Sequence, residues 1–326
     1  MTGIFKQKNP FNALLLLLYG LSLKFSIFLH PIRPVVYPAD HFIYRLLIQL
    51  LDRLFSSMPV VFSLLAFAML YVQATLLNRI CNSLRLFPRP NYLVAMSFLL
   101  ITSLAKEWSA FSAPLLVNFF MVWIWYRMIK LYNHPHPKTS IYNISVIIGL
   151  MPLIYSPALA LILLLVLALI TTRPFRITEW MVALLGFLTP YYFLGAILYL
   201  SNQWQGSTLF PRMELHIPHL PQVWWVSASW ALLAVPFLMG AYYVQANLGK
   251  IPIHIRKGWG LLVMFLFVSA IIAVSGSKGN YYNWMLAFVP LAAFHGATYF
   301  YLPSKPVAAL LQWVTFILAI FINYYL

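Results

Sequence analysis

The sequence predicts an all-α polytopic membrane protein, one integral membrane domain over residues 1–326. It has about 11 transmembrane helices and an amphipathic helix in the first outer loop. Three observations carry this prediction. The chain is 63% hydrophobic and 8% charged, with mean hydropathy +0.84. Soluble domains carry about 25% charged residues, and no water-soluble fold hides so much apolar surface, so the solvent is lipid. Long apolar runs recur from end to end of the chain, and the basic residues alternate between the loops that join them.

The runs cover 11–29, 58–77, 91–104, 112–131, 141–152, 157–172, 179–200, 224–246, 259–274, 282–300 and 308–325. A span needs about 20 apolar residues, fewer where the bilayer thins around the protein. The third, fifth and sixth runs are short. The fifth and sixth flank PLIYSP, where Pro152 and Pro157 predict a tight turn between two spans rather than one kinked span. The first run is longer than a signal-peptide core and no small-x-small site follows it, so it is expected to be a permanent span.

With the N-terminus inside, fourteen Lys and Arg residues fall in inner loops and six in outer loops, while Lys24 lies within the first run. That bias sets orientation and puts the C-terminus outside. The net charge of +16 therefore points to lipid headgroups rather than nucleic acid. Of the five acids, Asp40, Asp52, Glu107 and Glu214 fall outside and Glu179 inside. Acids contribute little to insertion, so this distribution suggests a use for carboxylates on the outer face. The single cysteine, Cys81, excludes an internal disulfide and a multi-cysteine metal site.

Two outer loops are long. In the first, the prolines stop at Pro38, and Phe42, Leu46, Leu47, Leu50 and Leu54 then repeat at helical spacing. This predicts an interfacial helix over about 39–55, with Asp52 and Arg53 toward water or headgroups. The second, 201–223, carries Arg212, Glu214, His216 and His219. Pro218 separates the two histidines, so they cannot share a helical face as zinc ligands.

Three constellations could carry chemistry. Asp40-His41 opens the interfacial helix, either as a carboxylate poised for base or metal work or as an N-cap. Lys106-Glu107-Trp108 sits in a short loop. There, Trp108 could belong to the aromatic belt, or Glu107 could be drawn toward hydrocarbon, where a carboxylate needs a partner. SGSKGNYYNW, residues 275–284, flanks Lys278 with small residues. It is either a tight turn or a phosphate cradle of free backbone N–H groups with a lysine, and Tyr281 and Tyr282 lie beside it.

The order of these pieces resembles the membrane glycosyltransferases of the GT-C superfamily. VVYPADHFIYRLLIQLL resembles their first outer loop with an early acid and an interfacial helix. SLAKEWSAFSAP resembles their second acid-bearing loop. VIIGLMPLIYSPALALILLLVLALITTRPFR, VALLGFLTPYY and SKGNYYNWMLAFVPLAAFHGA follow in the family's order. The chain departs from the family in having His41 where many members have a second acid, and Lys278 where many have an arginine. It also resembles small multi-pass proteins of bacterial envelopes. The GT-C resemblance implies a GT-C-like fold in the bacterial inner membrane and a polyprenyl-phosphate-linked sugar as donor. It implies Asp40 or Glu107 as the base for an acceptor hydroxyl. It also implies Lys278, Arg212 and Lys106 on the donor phosphate, in some members with a divalent cation. Glu107 would face Asp40 across a cleft, with Lys106 keeping it ionised. The alternative classes are a non-catalytic GT-C-like scaffold bound to other envelope proteins and a transporter.

Overall fold

A computed structural model describes residues 2–7, 9–55, 58–202, 223–276 and 281–325. Among them the chain is all-helical, and its one extended pairing is an isolated antiparallel bridge between Asp40 and Tyr155. Leaving single turns unnumbered, the helices are α1 (Phe11–Lys24), α2 (Phe42–Phe55), α3 (Val60–Ser83), α4 (Leu93–Ile101), α5 (Ala113–Ile129), α6 (Pro137–Leu150), α7 (Leu161–Thr172), α8 (Ile177–Leu200), α9 (Trp224–Asn247), α10 (Ile253–Val274), α11 (Phe288–Tyr301) and α12 (Lys305–Tyr325). The amphipathic α2 stands where 39–55 predicted it, and every apolar run overlaps one of the other helices, though several helices start before or end after their run. PLIYSP forms 3₁₀ turns, Met151–Leu153 and Ser156–Ala160, with Pro152 and Pro157 in their first positions.

Among the described residues, five helices are long and apolar enough to cross a membrane: α3, α8, α9 with its 3₁₀ extension to Lys250, α10 and α12. The others are shorter, and α4 shows why. Its nine residues rise about 13 Å, well under the roughly 30 Å of a hydrocarbon core. All nine side chains are buried, because α1, α3, α11 and α12 surround the helix. Its run is apolar because it is the centre of the bundle. By contrast, α8 exposes Leu184, Leu185, Leu188, Phe193 and Ile197 along its length. Such a surface suits hydrocarbon and not water.

The connecting segments gather into two sets. In one, Phe5 accepts from the Tyr92 N–H at 2.8 Å, Lys6 Nζ donates to the Phe300 carbonyl at 2.8 Å, and the Thr2 N–H donates to Gln312 Oε1 at 3.1 Å. Phe87 links this set to Trp259, and Lys257 to the Thr171 carbonyl. Arg173 pairs with Glu179 at 3.0 Å close by, the one ion pair among the described residues. The other set holds Asp40. There Asn323 of α12 donates to the Ser103 carbonyl, Lys24 of α1 to the Thr102 carbonyl, and Trp108 to the Tyr281 carbonyl. Because α1, α4 and α12 each run from one set to the other, residues 2–6 and the end of α12 lie at opposite ends of the bundle.

Several polar side chains within the helices make helix contacts, as expected where the lipid offers no partner. Pro236 interrupts the ladder of α9. From α11, the His295 ring meets the Leu233 carbonyl at 2.9 Å, and the Thr298 hydroxyl donates to the Pro236 carbonyl. Asn118 donates to Gln73, which donates to the Leu115 carbonyl.

Two backbone approaches require glycine. A Cβ on Gly149 of α6 would collide with the Phe187 carbonyl of α8, and one on Gly240 of α9 with the Phe294 carbonyl of α11. Gly149→Val should therefore cost about 1–3 kcal/mol through overpacking and lower the midpoint of a tryptophan-fluorescence melt in detergent. Gly249→Val, where a Cβ meets nothing within 4 Å, should leave it unchanged.

Candidate functional site

Asp40 is placed by backbone chemistry on both sides of it. The Asp40 N–H donates to the Tyr37 carbonyl at 3.0 Å, and Asp40 Oδ2 accepts the Tyr37 N–H at 2.8 Å, closing a turn after the proline run. Then the His41 N–H donates to the Ile154 carbonyl at 3.0 Å, and the Ser156 N–H to the Ala39 carbonyl at 2.9 Å. This two-bond clamp fastens residues 39–41 to the 3₁₀ turns between α6 and α7. Helix α2 starts beyond the clamp, its first turn set by the Arg45 N–H on the His41 carbonyl. The Asp40 carboxylate thus turns back to Tyr37 and does not cap α2.

The carboxyl is 4% exposed. Burial pushes its pKa up to about 7, against the opposing pull of the Tyr37 N–H and the Arg45 guanidinium. Arg45 also donates from Nε to the Asp40 carbonyl at 2.9 Å. Beside it, burial lowers the His41 pKa and Arg45 adds to that, while a hydrogen bond to the Leu153 carbonyl opposes it. His41 Nδ1 is buried without a partner.

Asp40 shares a cavity of about 10 Å³ with Tyr37, Ser112, Tyr155, Tyr282 and Asn283, room for about one water. The Tyr155 hydroxyl donates to Asn283 Oδ1 at 2.8 Å. The Tyr37 and Tyr282 rings lie 5.5 Å apart. Burial raises the pKa of both phenols, and the charges of Asp40 and Glu107 each raise them further. Two carboxylates from separate loops therefore act on one tyrosine pair. Glu107 reaches it from a 3₁₀ turn, Glu107–Ser109. That turn is anchored by Trp108, whose ring is buried against Phe288 and Trp230 and whose Nε1 donates to the Tyr281 carbonyl at 2.7 Å. Trp108 is thus an interior anchor and not a member of an exposed aromatic belt.

Asp40 and Tyr282 line one cavity, with His41 adjacent to Asp40 in sequence; Glu107 does not line that cavity and acts on its tyrosines through its charge. Tyr281 contributes its carbonyl to Trp108, and its hydroxyl is buried without a partner. Lys106 does not pair with Glu107. It lines a different cavity, with His30, Ser109 and Asn323. Lys278 and Arg212, with Glu214, His216 and His219, lie outside the described residues. Among the described residues no three His, Cys, Asp or Glu side chains group as a metal cage.

Sequence reasoning missed Tyr37, Arg45, Tyr155 and Asn283. Arg45 had a local signal, one turn into a helix that begins beside Asp40. Tyr155 had none, since PLIYSP reads as a turn, and its role arises from the cross-chain clamp.

The raised pKa has a stability consequence. The folded carboxyl holds its proton up to about 7, whereas a free Asp side chain loses it near 3.8. Between these values the unfolded chain binds fewer protons, so the stability conferred by this group is complete below about 4 and is lost as pH rises to about 7. A thermal-melt series should show a midpoint that falls across this window and then levels. Asp40→Asn should flatten that segment.

Searches against protein-family models, curated proteins and solved structures find no match to this chain.

Proposed function

We propose that the chain is a GT-C-like membrane glycosyltransferase that uses a polyprenyl-phosphate-linked sugar at the outer face of a bacterial inner membrane. The observation that carries this reading is the Asp40 cleft. A buried carboxyl whose pKa is about 7 is matched to accepting a proton at neutral pH, and it shares a tyrosine pair with a second carboxylate, Glu107. The cleft has room for about one water or one substrate hydroxyl. In the reaction, the acceptor hydroxyl oxygen attacks the anomeric carbon. The bond from that carbon to the phosphate oxygen breaks, its electron pair leaves with polyprenyl phosphate, and the hydroxyl proton passes to Asp40. Glu107 orients the acceptor through Tyr37 and Tyr282. Lys278 and Arg212 are assigned to the donor phosphate by the resemblance. A divalent cation, where it takes part, would neutralise that phosphate.

This reading places α2 in the outer interface, with Leu46, Leu50 and Leu54 toward lipid, and gives the chain eleven crossings. The opposite placement of residues 2–6 and the end of α12 supports an odd number of crossings. The basic inner loops support a cytoplasmic N-terminus and an outer C-terminus. A reporter active only in the cytoplasm should therefore be silent when fused after Leu326 and active when fused before Met1.

The second reading is a non-catalytic scaffold for other envelope proteins. It is favoured by the small size of the cleft and by the engagement of Asp40 Oδ2 with the Tyr37 N–H. No observation favours a transporter: Lys24 bonds to Ser109 and Thr102, and Asn118 and His295 each make a helix contact.

The two readings separate on turnover. Full-length protein in liposomes containing a polyprenyl-phosphate hexose should release polyprenyl phosphate when acceptor is supplied. The rate should rise with pH to a plateau above about 7, as Asp40 loses its proton. Asp40→Asn should reduce it about 10²–10⁴-fold, the usual loss on removing a general base. Glu107→Gln should also impair it, and both variants should insert normally. Absence of turnover by the unaltered protein rejects the enzyme reading, and unchanged turnover in both variants rejects Asp40 and Glu107 as its working carboxylates.

A further inference from the structure

A second cavity at the Asp40 end has a different character. It measures about 60 Å³, room for about four waters or one phosphate group. It lies where the turn after α1, the start of α3, the 106–111 loop and the end of α12 meet. Lys106 and His30 line it, along with the hydroxyls of Ser26, Ser63 and Ser109, and no acidic residue does.

Two observations point to an occupant. Lys24 is completely buried behind this wall. Its Nζ donates to Ser109 Oγ at 2.8 Å and to the Thr102 carbonyl at 3.0 Å, and it has no carboxylate partner among the described residues. A buried ammonium without a counter-charge is costly, and more so at membrane depth. Ser109 receives the Lys24 hydrogen bond, donates its own proton to the Thr102 carbonyl at 3.2 Å and lines the cavity, so an anion there would stand one residue away from the ammonium. The second observation is Asn323, 2% exposed. Its Nδ2 donates to the Ser103 and Ala319 carbonyls, which fixes the amide orientation. Its Oδ1 is left buried without a donor, on a side chain that lines the cavity. A ligand that satisfies both carries negative charge for Lys24, Lys106 and His30 and a hydroxyl to donate to Asn323.

Beside the polar wall lie exposed apolar side chains. Ile32 lines the cavity itself, and Phe25 and Leu29 stand on the same segment, each about half exposed. Acyl chains would lie against them while a headgroup entered the cavity.

We propose that this cavity is a binding site for the phosphate of a hydroxyl-bearing anionic lipid headgroup, separate from the Asp40 cleft. Lys106 and His30 contact the phosphate oxygens, the Lys24 ammonium behind Ser109 adds its charge to the wall, and Asn323 Oδ1 accepts the headgroup hydroxyl.

The test uses the full-length protein, delipidated in neutral detergent, with the melting midpoint followed against added ligand. Dioctanoyl phosphatidylglycerol should raise the midpoint saturably, and dioctanoyl glycerol, which lacks the phosphate, should not. The Lys106→Gln/His30→Gln double variant should weaken the apparent affinity at least tenfold. Lys106→Arg should retain it, and so should Asp40→Asn, which separates this site from the proposed catalytic cleft. If the double variant does not fold, Lys106→Gln compared with Lys106→Arg reads the same quantity. Equal stabilisation by the neutral lipid overturns the proposal, as does undiminished affinity in a well-folded Lys106→Gln variant. Stabilisation by inorganic phosphate with none from phosphatidylglycerol overturns the lipid as occupant in favour of a free anion.

Discussion

Two backbone hydrogen bonds, from His41 to Ile154 and from Ser156 to Ala39, hold the first long loop against the turn between α6 and α7. They form the one extended pairing described in an otherwise helical chain, and the placement of the site depends on them. The clamp fixes Asp40 opposite Tyr155, buries its carboxyl beneath Tyr37 and Tyr282, and sets where α2 begins. The prolines suit this arrangement. Pro34 and Pro38 keep the approaching chain extended, and Pro152 and Pro157 keep the partner segment out of a continuous helix, leaving its backbone groups free to pair.

The rest of the Asp40 end is tied down by long-range contacts of the same economy. Trp108 connects the short loop carrying Glu107 to the turn before α11, Tyr155 reaches Asn283, and Tyr44 of α2 stacks near Phe111. Four segments distant in sequence are therefore held by bonds that burial makes costly to break. The same loop divides its chemistry between two walls. Glu107 adds its charge to the tyrosine pair, while Lys106 lines the cavity backed by Lys24. Adjacent residues of opposite charge, which suggest a pair in the sequence, serve separate sites.

Apolar periodicity and loop charge made the helical class legible, together with the position of every long helix and the amphipathic α2. Asp40 and Glu107 stood out because acids are scarce in this chain. What periodicity could not reveal was which apolar runs face lipid. The α4 run is more hydrophobic than most, yet it is enclosed on all sides, since an interior helix of a bundle and a lipid-exposed one both avoid polar residues. Nor could it reveal Tyr155, Asn283 or the Lys24–Ser109–Asn323 region. Those residues acquire meaning only when segments far apart in sequence meet.

The clamp can be tested directly by cross-linking. Asp40 and Tyr155 form the non-hydrogen-bonded pair of the bridge, which brings Cα atoms to about 4.5 Å, within the span of a disulfide. With the buried Cys81 replaced by Ala, an Asp40→Cys/Tyr155→Cys double variant in membranes should oxidise readily to an intramolecular disulfide. A Leu54→Cys/Tyr155→Cys control, with its first cysteine at the far end of α2, should not. Failure of the 40–155 pair to cross-link, or equal cross-linking by the control, would contradict the anchoring of Asp40 on which the site depends.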